Sequence, residues 1–183
     1  MRVIAGALGG QVFDSPGTHR THPMSDKARG ALFNILGDIE GLSVLDAFAG
    51  SGALSLEAVS RGAASALAID NDKNAQKTIA RNIETLRVGR QVKLIKAPAN
   101  TWLQTNPDKK FDIVLCDPPY KDLQPNLLKR LAGSVALHGI YVLSWPSSRE
   151  VLILPSLVFL ERHLYGDMQL IFYRNEPQIT GLI

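Results

Sequence analysis

Residues 44–58, "VLDAFAGSGALSLEA", pass from an apolar strand-like stretch through a glycine loop into a helix-like run. Gly50 and Gly52 let the backbone turn sharply and leave the amides at the helix start open to a ligand. Asp46 stands near the end of the strand, where a carboxylate attracts a cationic ligand group. Many tight strand–helix turns share such glycines for purely structural reasons, so this spacing does not decide alone.

Outward from that stretch the chain alternates. "SALAID" (65–70) is a second strand and ends on Asp70, at the distance where an acid takes both hydroxyls of a ribose. A helix is expected from about Lys73 to Leu86, then strands at "QVKLIKA" (91–97) and "FDIVLCD" (111–117). The latter is near-continuously apolar, as strands covered on both faces are. "LLKRLAGSV" (127–135) reads as helix and "GIYVLSW" (139–145) as a fifth strand. "LVFLERHLY", Gly166-Asp167 and "MQLIFYR" read as a closing hairpin with a two-residue turn. Alternation of this kind predicts an α/β domain with a parallel, doubly wound sheet and an antiparallel edge.

Upstream, residues 2–13 read as a small hairpin around Gly6, Gly9 and Gly10, followed by a polar loop over 14–24. Ser25 can cap a helix with Ala28, Ala31, Leu32, Ile35 and Leu36 on one side, stopped by Gly37. Residues 1–40 are therefore taken as an N-terminal extension, 41–175 as the α/β core and 176–183 as a loose tail.

Composition narrows the classes. With 183 residues and 45% hydrophobic content, one domain can bury a full core. A net charge of +3 and a pI near 9.1 permit an anionic partner without establishing one. One cysteine forms no internal disulfide, and a reducing cytoplasm is the simplest home. With only four scattered histidines beside it, no metal is expected. "MRVIAGALGG" has no long apolar core, so neither a signal peptide nor a membrane span is expected.

The fourth strand runs into Asp117-Pro118-Pro119-Tyr120. Ligands of open α/β sheets bind beyond the carboxyl ends of the strands, an edge shared by Gly50, Asp70 and Asp117. Two prolines stiffen the segment and cannot donate, so their carbonyls and the Asp117 carboxylate can only accept. That suits a substrate amino group with two hydrogens to give, and Tyr120 offers a face on which a base can stack. A bare Pro-rich strand end is the plain alternative. Both a dinucleotide and S-adenosylmethionine fit the upstream frame. The extra Asp46 suits the ammonium and sulfonium of the latter.

"DAFAGSGALSLEAVSRGA" and "DPPY" together resemble the amino-methyltransferases, and the chain more narrowly resembles the RsmD family. "MRVIAGALGG", "HPMSDKARGALFNIL" and "RHLYGDMQLIFYR" carry the same resemblance, which spans about residues 1–174. It implies a Rossmann-like class I methyltransferase with a seven-stranded, mostly parallel sheet. It also implies S-adenosylmethionine as cofactor and N2-methylation of a guanine in 16S rRNA, as free RNA or in an assembling small ribosomal subunit. A cytoplasmic monomer is expected. The catalytic residues would be Asp117, Pro118, Pro119 and Tyr120. The cofactor would be held by Asp46, Phe48, Gly50, Gly52, Asp70, Asn71, Pro98, Ala99 and Asp117. Arg2, Arg20, Lys27, Arg29 and Tyr120 would meet RNA.

The chain departs from the family's pattern at Gly9 and Gln11, where arginines are expected, and at Gly30, where an acid follows the arginine, which implies fewer basic contacts to the substrate. Pro98 and Leu143 of "YVLSW", a strand where an acid is expected, imply a less polar cofactor pocket. An amino-methyltransferase of DNA adenine or cytosine, a dinucleotide-dependent oxidoreductase and a non-catalytic RNA-binding module are the rival readings. Lys73, Lys77 and Arg81 share one helix face, taken as a solvated exterior. Cys116, Trp102 and Trp145 are expected to be packing residues.

Overall fold

A computed structural model describes residues 1–15 and 24–177 of the chain. The expected behaviour of the tail beyond residue 177 and the RNA contact expected of Arg20 lie outside the described residues. Seven strands form one sheet: β1 (Ser43–Asp46), β2 (Ser65–Asp70), β3 (Val92–Lys96), β4 (Phe111–Cys116), β5 (Val135–Pro146), β6 (Val158–Tyr165) and β7 (Met168–Arg174). Their order is β3-β2-β1-β4-β5-β7-β6. The pairs β3–β2, β2–β1, β1–β4 and β4–β5 are parallel, while β7 lies antiparallel to both β5 and β6. The closing hairpin thus inserts its second strand between β5 and β6, and β6 becomes the edge.

The helices are α1 (Asp26–Leu36), α2 (Ala53–Ser60), α3 (Lys73–Thr85), α4 (Ala99–Thr105) and α5 (Pro125–Leu131). Strand residues of alternating parity feed two cores. Val44, Ala68, Ile113 and Val142 pack with α1, α2 and α3, whereas Leu45, Ile69, Val114 and Leu143 pack with α4 and α5. Both sheet faces are covered, which is why the central strands are apolar throughout.

Local signals set the helix ends. The Ser25 hydroxyl accepts from the Ala28 amide at 3.2 Å to begin α1, and Gly37 at φ 74° ends it. Asp72 accepts from the Asn74 and Ala75 amides at the start of α3. Two elements differ from the sequence reading. The segment after β3 forms a helix, α4, which its short polar stretch "ANTWLQT" did not announce. The helix expected over 127–135 ends at Leu131, because a 3₁₀ turn at Ala132–Ser134 intervenes and β5 begins four residues earlier than expected. A bulge at His138, with φ 64°, hides that early start from period-2 inspection.

The N-terminal hairpin forms around the Arg2–Val12 bridge and is pressed onto α2. A Cβ on Gly6 would lie 1.8 Å from the Ser60 carbonyl oxygen, so only glycine permits this approach. The buried Glu57 carboxylate accepts from the Ile4 and Ala5 amides at 2.7 and 3.1 Å and from Arg61 Nε at 2.7 Å. Val3 and Phe13 join the same core as α1 and α2.

Candidate active site

The parallel strands β1, β2, β3 and β4 end at one edge, and the loops after them assemble the site. After β1, the Ala47 amide donates to the Leu115 carbonyl and the Ala49 amide to that of Ile69, at 3.0 and 2.9 Å. These bonds tie the loop to the strands on either side. Gly50 and Gly52 then adopt φ 57° and 80°. Among the described residues nothing lies within 4 Å of where a Gly50 Cβ would stand, so the space beside that residue is open to a ligand. The Asn82 amide group donates to the Ser51 carbonyl and to the Asp14 carbonyl, both at 2.9 Å, joining loop, α3 and the N-terminal arm.

Asp46 is fully buried. Its Oδ2 accepts from the Ser55 amide and hydroxyl at 3.2 and 2.8 Å, while its Oδ1 has no hydrogen-bond partner among the described residues. Burial pushes its pKa up to about 7; Ser55 opposes the rise, and the Asp117 and Asp70 charges add to it. An orphaned, buried carboxylate oxygen of this kind is a ready partner for a cation.

Asp70 accepts from the Gly50 amide through Oδ2 and from the Asp72 amide through Oδ1, each at 2.8 Å. Burial raises its pKa, offset by the amides of Asp72 and Gly50. The residue therefore holds the glycine loop in shape, and each oxygen keeps a second lone pair for a ligand. Asn71 beside it is exposed, and Phe48 is half-buried against the α4–α5 core. Pro98 caps the start of α4 with φ −61° and ψ 138°, and Ala99 is buried behind it.

At the end of β4, Asp117 is half-buried and Pro118 buried. Burial pushes the Asp117 pKa up to about 6, and the Ser144 hydroxyl pulls it back down. The Pro119 carbonyl accepts from the Asp122 amide at 2.8 Å and closes a turn. Among the described residues no protein donor meets the Pro118 carbonyl. Tyr120 is 37% exposed, and its hydroxyl lies 3.0 Å from Ser144 Oγ. Burial pushes the phenol up to about 12, so it stays protonated at neutral pH. Cys116 is buried with its thiol pushed well up, an inert packing residue.

Two readings change. Arg29, assigned to RNA contact, is 0% exposed. Its Nη2 donates to the Arg2 carbonyl at 2.7 Å and to Asp26 at 2.8 Å, and Nε sits 3.9 Å from Glu57. It braces the hairpin against α2 and faces no solvent. Leu143, noted as the place of a missing acid, points into the α4–α5 core; the neighbouring Ser144 is the β5 side chain that reaches the corner. Arg2 and Lys27 are exposed. The supporting residues Ser55, Asn82 and Ser144 carried no sequence signal beyond helix or strand phase.

This sheet order, with one antiparallel strand inserted at its end, defines a Rossmann-like class I methyltransferase fold. A family model described as "Conserved hypothetical protein 95" matches residues 1–174. The chain belongs to that family, the RsmD family that its motifs resemble. It is 35% identical over 122 residues to ribosomal RNA small subunit methyltransferase D of Escherichia coli K12, covering 66% of this chain and 61% of that protein. It is 34% identical over 125 residues to YlbH of Bacillus subtilis, a candidate rRNA methyltransferase, covering 67% and 68%. The solved structure of yhhF from Escherichia coli, described as a candidate methyltransferase, superposes with a TM-score of 0.84 at 27% identity, over 97% of this chain and 99% of that one.

Proposed function

We propose that the protein transfers a methyl group from S-adenosylmethionine to the N2 amino group of a guanine in 16S rRNA. The single observation that carries this reading is the acceptor-only corner of Asp117 and the Pro118 carbonyl, set beside an exposed tyrosine at the edge that also holds Asp46 and the glycine loop. The names of the Escherichia coli and Bacillus subtilis relatives support rRNA as the substrate.

The residues present fit S-adenosylmethionine. Asp46 offers an unpaired buried oxygen to its cationic end, Gly50 leaves open space at the loop, and Asp70 keeps acceptor capacity for a ribose. When bound it supplies a methyl group already activated by the sulfonium. The protein's task is then to prepare the nucleophile. A guanine amino nitrogen has its lone pair delocalised into the ring. Acceptance of its two N–H bonds by the Asp117 carboxylate and the Pro118 carbonyl moves that nitrogen toward tetrahedral geometry and frees the lone pair. With a pKa near 6, Asp117 is ionised at neutral pH and accepts without acting as a strong base; the surplus proton of the methylated, cationic nitrogen leaves to this carboxylate after transfer. Tyr120 stacks on the extruded base, against an unstacking cost of a few kcal/mol.

The experiment is a comparison of modified nucleosides after incubating unmethylated small ribosomal subunits, or their free 16S rRNA, with the protein and S-adenosylmethionine. One new N2-methylguanine is expected. Its absence, or methylation of adenine or cytosine instead, overturns the reading.

A further inference from the structure

Between Lys73 and Lys96 lie seven of the chain's 20 Lys and Arg but only one of its 17 Asp and Glu, so the remainder is acidic on balance. Lys73, Lys77 and Arg81 stand on α3, Arg87 and Arg90 in the turn that follows, and two more lysines on the edge strand β3. All seven are exposed. Among the described residues only Arg81 has an acidic partner, Asp14 at 3.0 Å.

The chain keeps these charges against local costs. Lysine and arginine at successive i, i+4 positions repel along the helix face. Lys73 is the first residue of α3, where the helix dipole disfavours a cation. Arg87 adopts φ 57°, which side chains other than glycine and asparagine seldom do. A face kept for solubility intersperses both signs. A run of one sign that opposes its own helix marks a functional surface.

Geometry gives the run a direction. α3 starts immediately after Asp70-Asn71-Asp72, at the ligand edge of the sheet, and extends about 20 Å toward the opposite edge. Its i, i+4 charges rise about 6 Å apart, close to the step between successive phosphates on a nucleic-acid strand. Among the described residues β3 beside it has no strand on its outer side, so its lysines stay accessible.

We propose that α3 and the β3 edge form a track for the phosphate backbone of the substrate RNA, separate from the corner that receives the base. The inference rests on the RNA reading above and assigns the backbone contact to a surface on the far side of β1 and β2 from Tyr120.

The test uses the full chain with K77E, R90E and K93E combined, and a fluorescein-labelled 16S rRNA transcript. At about 100 mM salt the variant should bind the transcript at least about 10-fold more weakly, and its slope of log affinity against log salt should flatten by about 2. S-adenosylhomocysteine affinity should not change. The melting temperature should hold or rise, because K77E puts a carboxylate four residues before Arg81 and relieves the repulsion. Unchanged RNA affinity and slope overturns the track. Reduced capture of polyglutamate by such a variant would then assign the face to an acidic protein. If the wild-type chain neither binds nor methylates RNA, the functional reading itself fails; a wild-type chain that does both, matched by the variant, removes the track alone.

Discussion

The Tyr120 hydroxyl lies 3.0 Å from the Ser144 hydroxyl, and Ser144, only 1% exposed on β5, also stabilises the Asp117 carboxylate. The β4–β5 register explains the meeting: Cys116 pairs with Leu143, so the next step places Asp117 beside Ser144. A serine has one proton. When it donates to Asp117, the tyrosine must donate to the serine, and the stacking ring is latched to the ionised acid.

Ser144→Ala should therefore do two things at once. Losing the latch should raise KM for RNA several-fold, as expected for about 1 kcal/mol of hydrogen bonding. Losing the donor should raise the Asp117 pKa further, moving the acid limb of kcat from near pH 6 to higher pH. Tyr120→Phe should reproduce the first effect without the second. A Ser144→Ala limb that stays in place would show that Asp117 does not sense the serine.

Asp46 links cofactor and proton binding. Its folded pKa near 7 lies above the unfolded carboxylate value, so the ligand-free fold is favoured by protonation, and stability falls as pH rises from about 4 to about 7. A cation selects the charged carboxylate. S-adenosylmethionine affinity should consequently rise between pH 6 and 8, with proton release visible as a buffer-dependent heat. Asp46→Asn should raise the ligand-free melting temperature at pH 8 more than at pH 5, yet weaken cofactor binding. A pH-independent affinity would remove the ion pair from the account.

Arg29 shows where sequence and structure part. Its place two residues after Lys27 looks like an RNA-facing charge, but burial against Glu57 depends on α1 meeting α2, a tertiary fact. Removing one member of a buried charged pair costs about 3–5 kcal/mol. Arg29→Ala should lower the urea midpoint strongly, and Arg29→Met should recover part of it. Neither should alter the salt slope of RNA binding at temperatures where the variant is folded. A reduced slope in Arg29→Met would return the residue to the RNA surface.

Much of the frame was legible because the signals were local and repeated. Helix phase, Ser25 and Gly37 located α1, and Gly50, Asp70 and Asp117 fell at strand ends that a parallel sheet must place on one edge. α4 was not legible, since its seven residues carry no side-chain cap and only Ala99, Trp102 and Leu103 face the core. Ser144 and Asn82 were not legible for another reason. A polar residue in a strand or helix reveals its role only through what it meets: Tyr120 for one, Asp14 and Ser51 for the other.

Gly50 can decide between a structural turn and a ligand cradle, the two readings its loop sequence left open. At φ 57° an alanine is strained by roughly 1–2 kcal/mol, yet its methyl would meet no atom of the described residues within 4 Å. If the glycine serves only the turn, Gly50→Ala should lower stability by that amount and leave cofactor affinity nearly unchanged. If the open space belongs to the cofactor, the methyl competes for it, and affinity should fall by about 10-fold or more at the same modest loss of stability. Urea melts and isothermal titration with S-adenosylhomocysteine separate the two outcomes. The large affinity loss is expected, because the Gly50 amide is already held toward Asp70 at 2.8 Å and the open side of the residue lies along the edge where Asp46 keeps an unpaired oxygen.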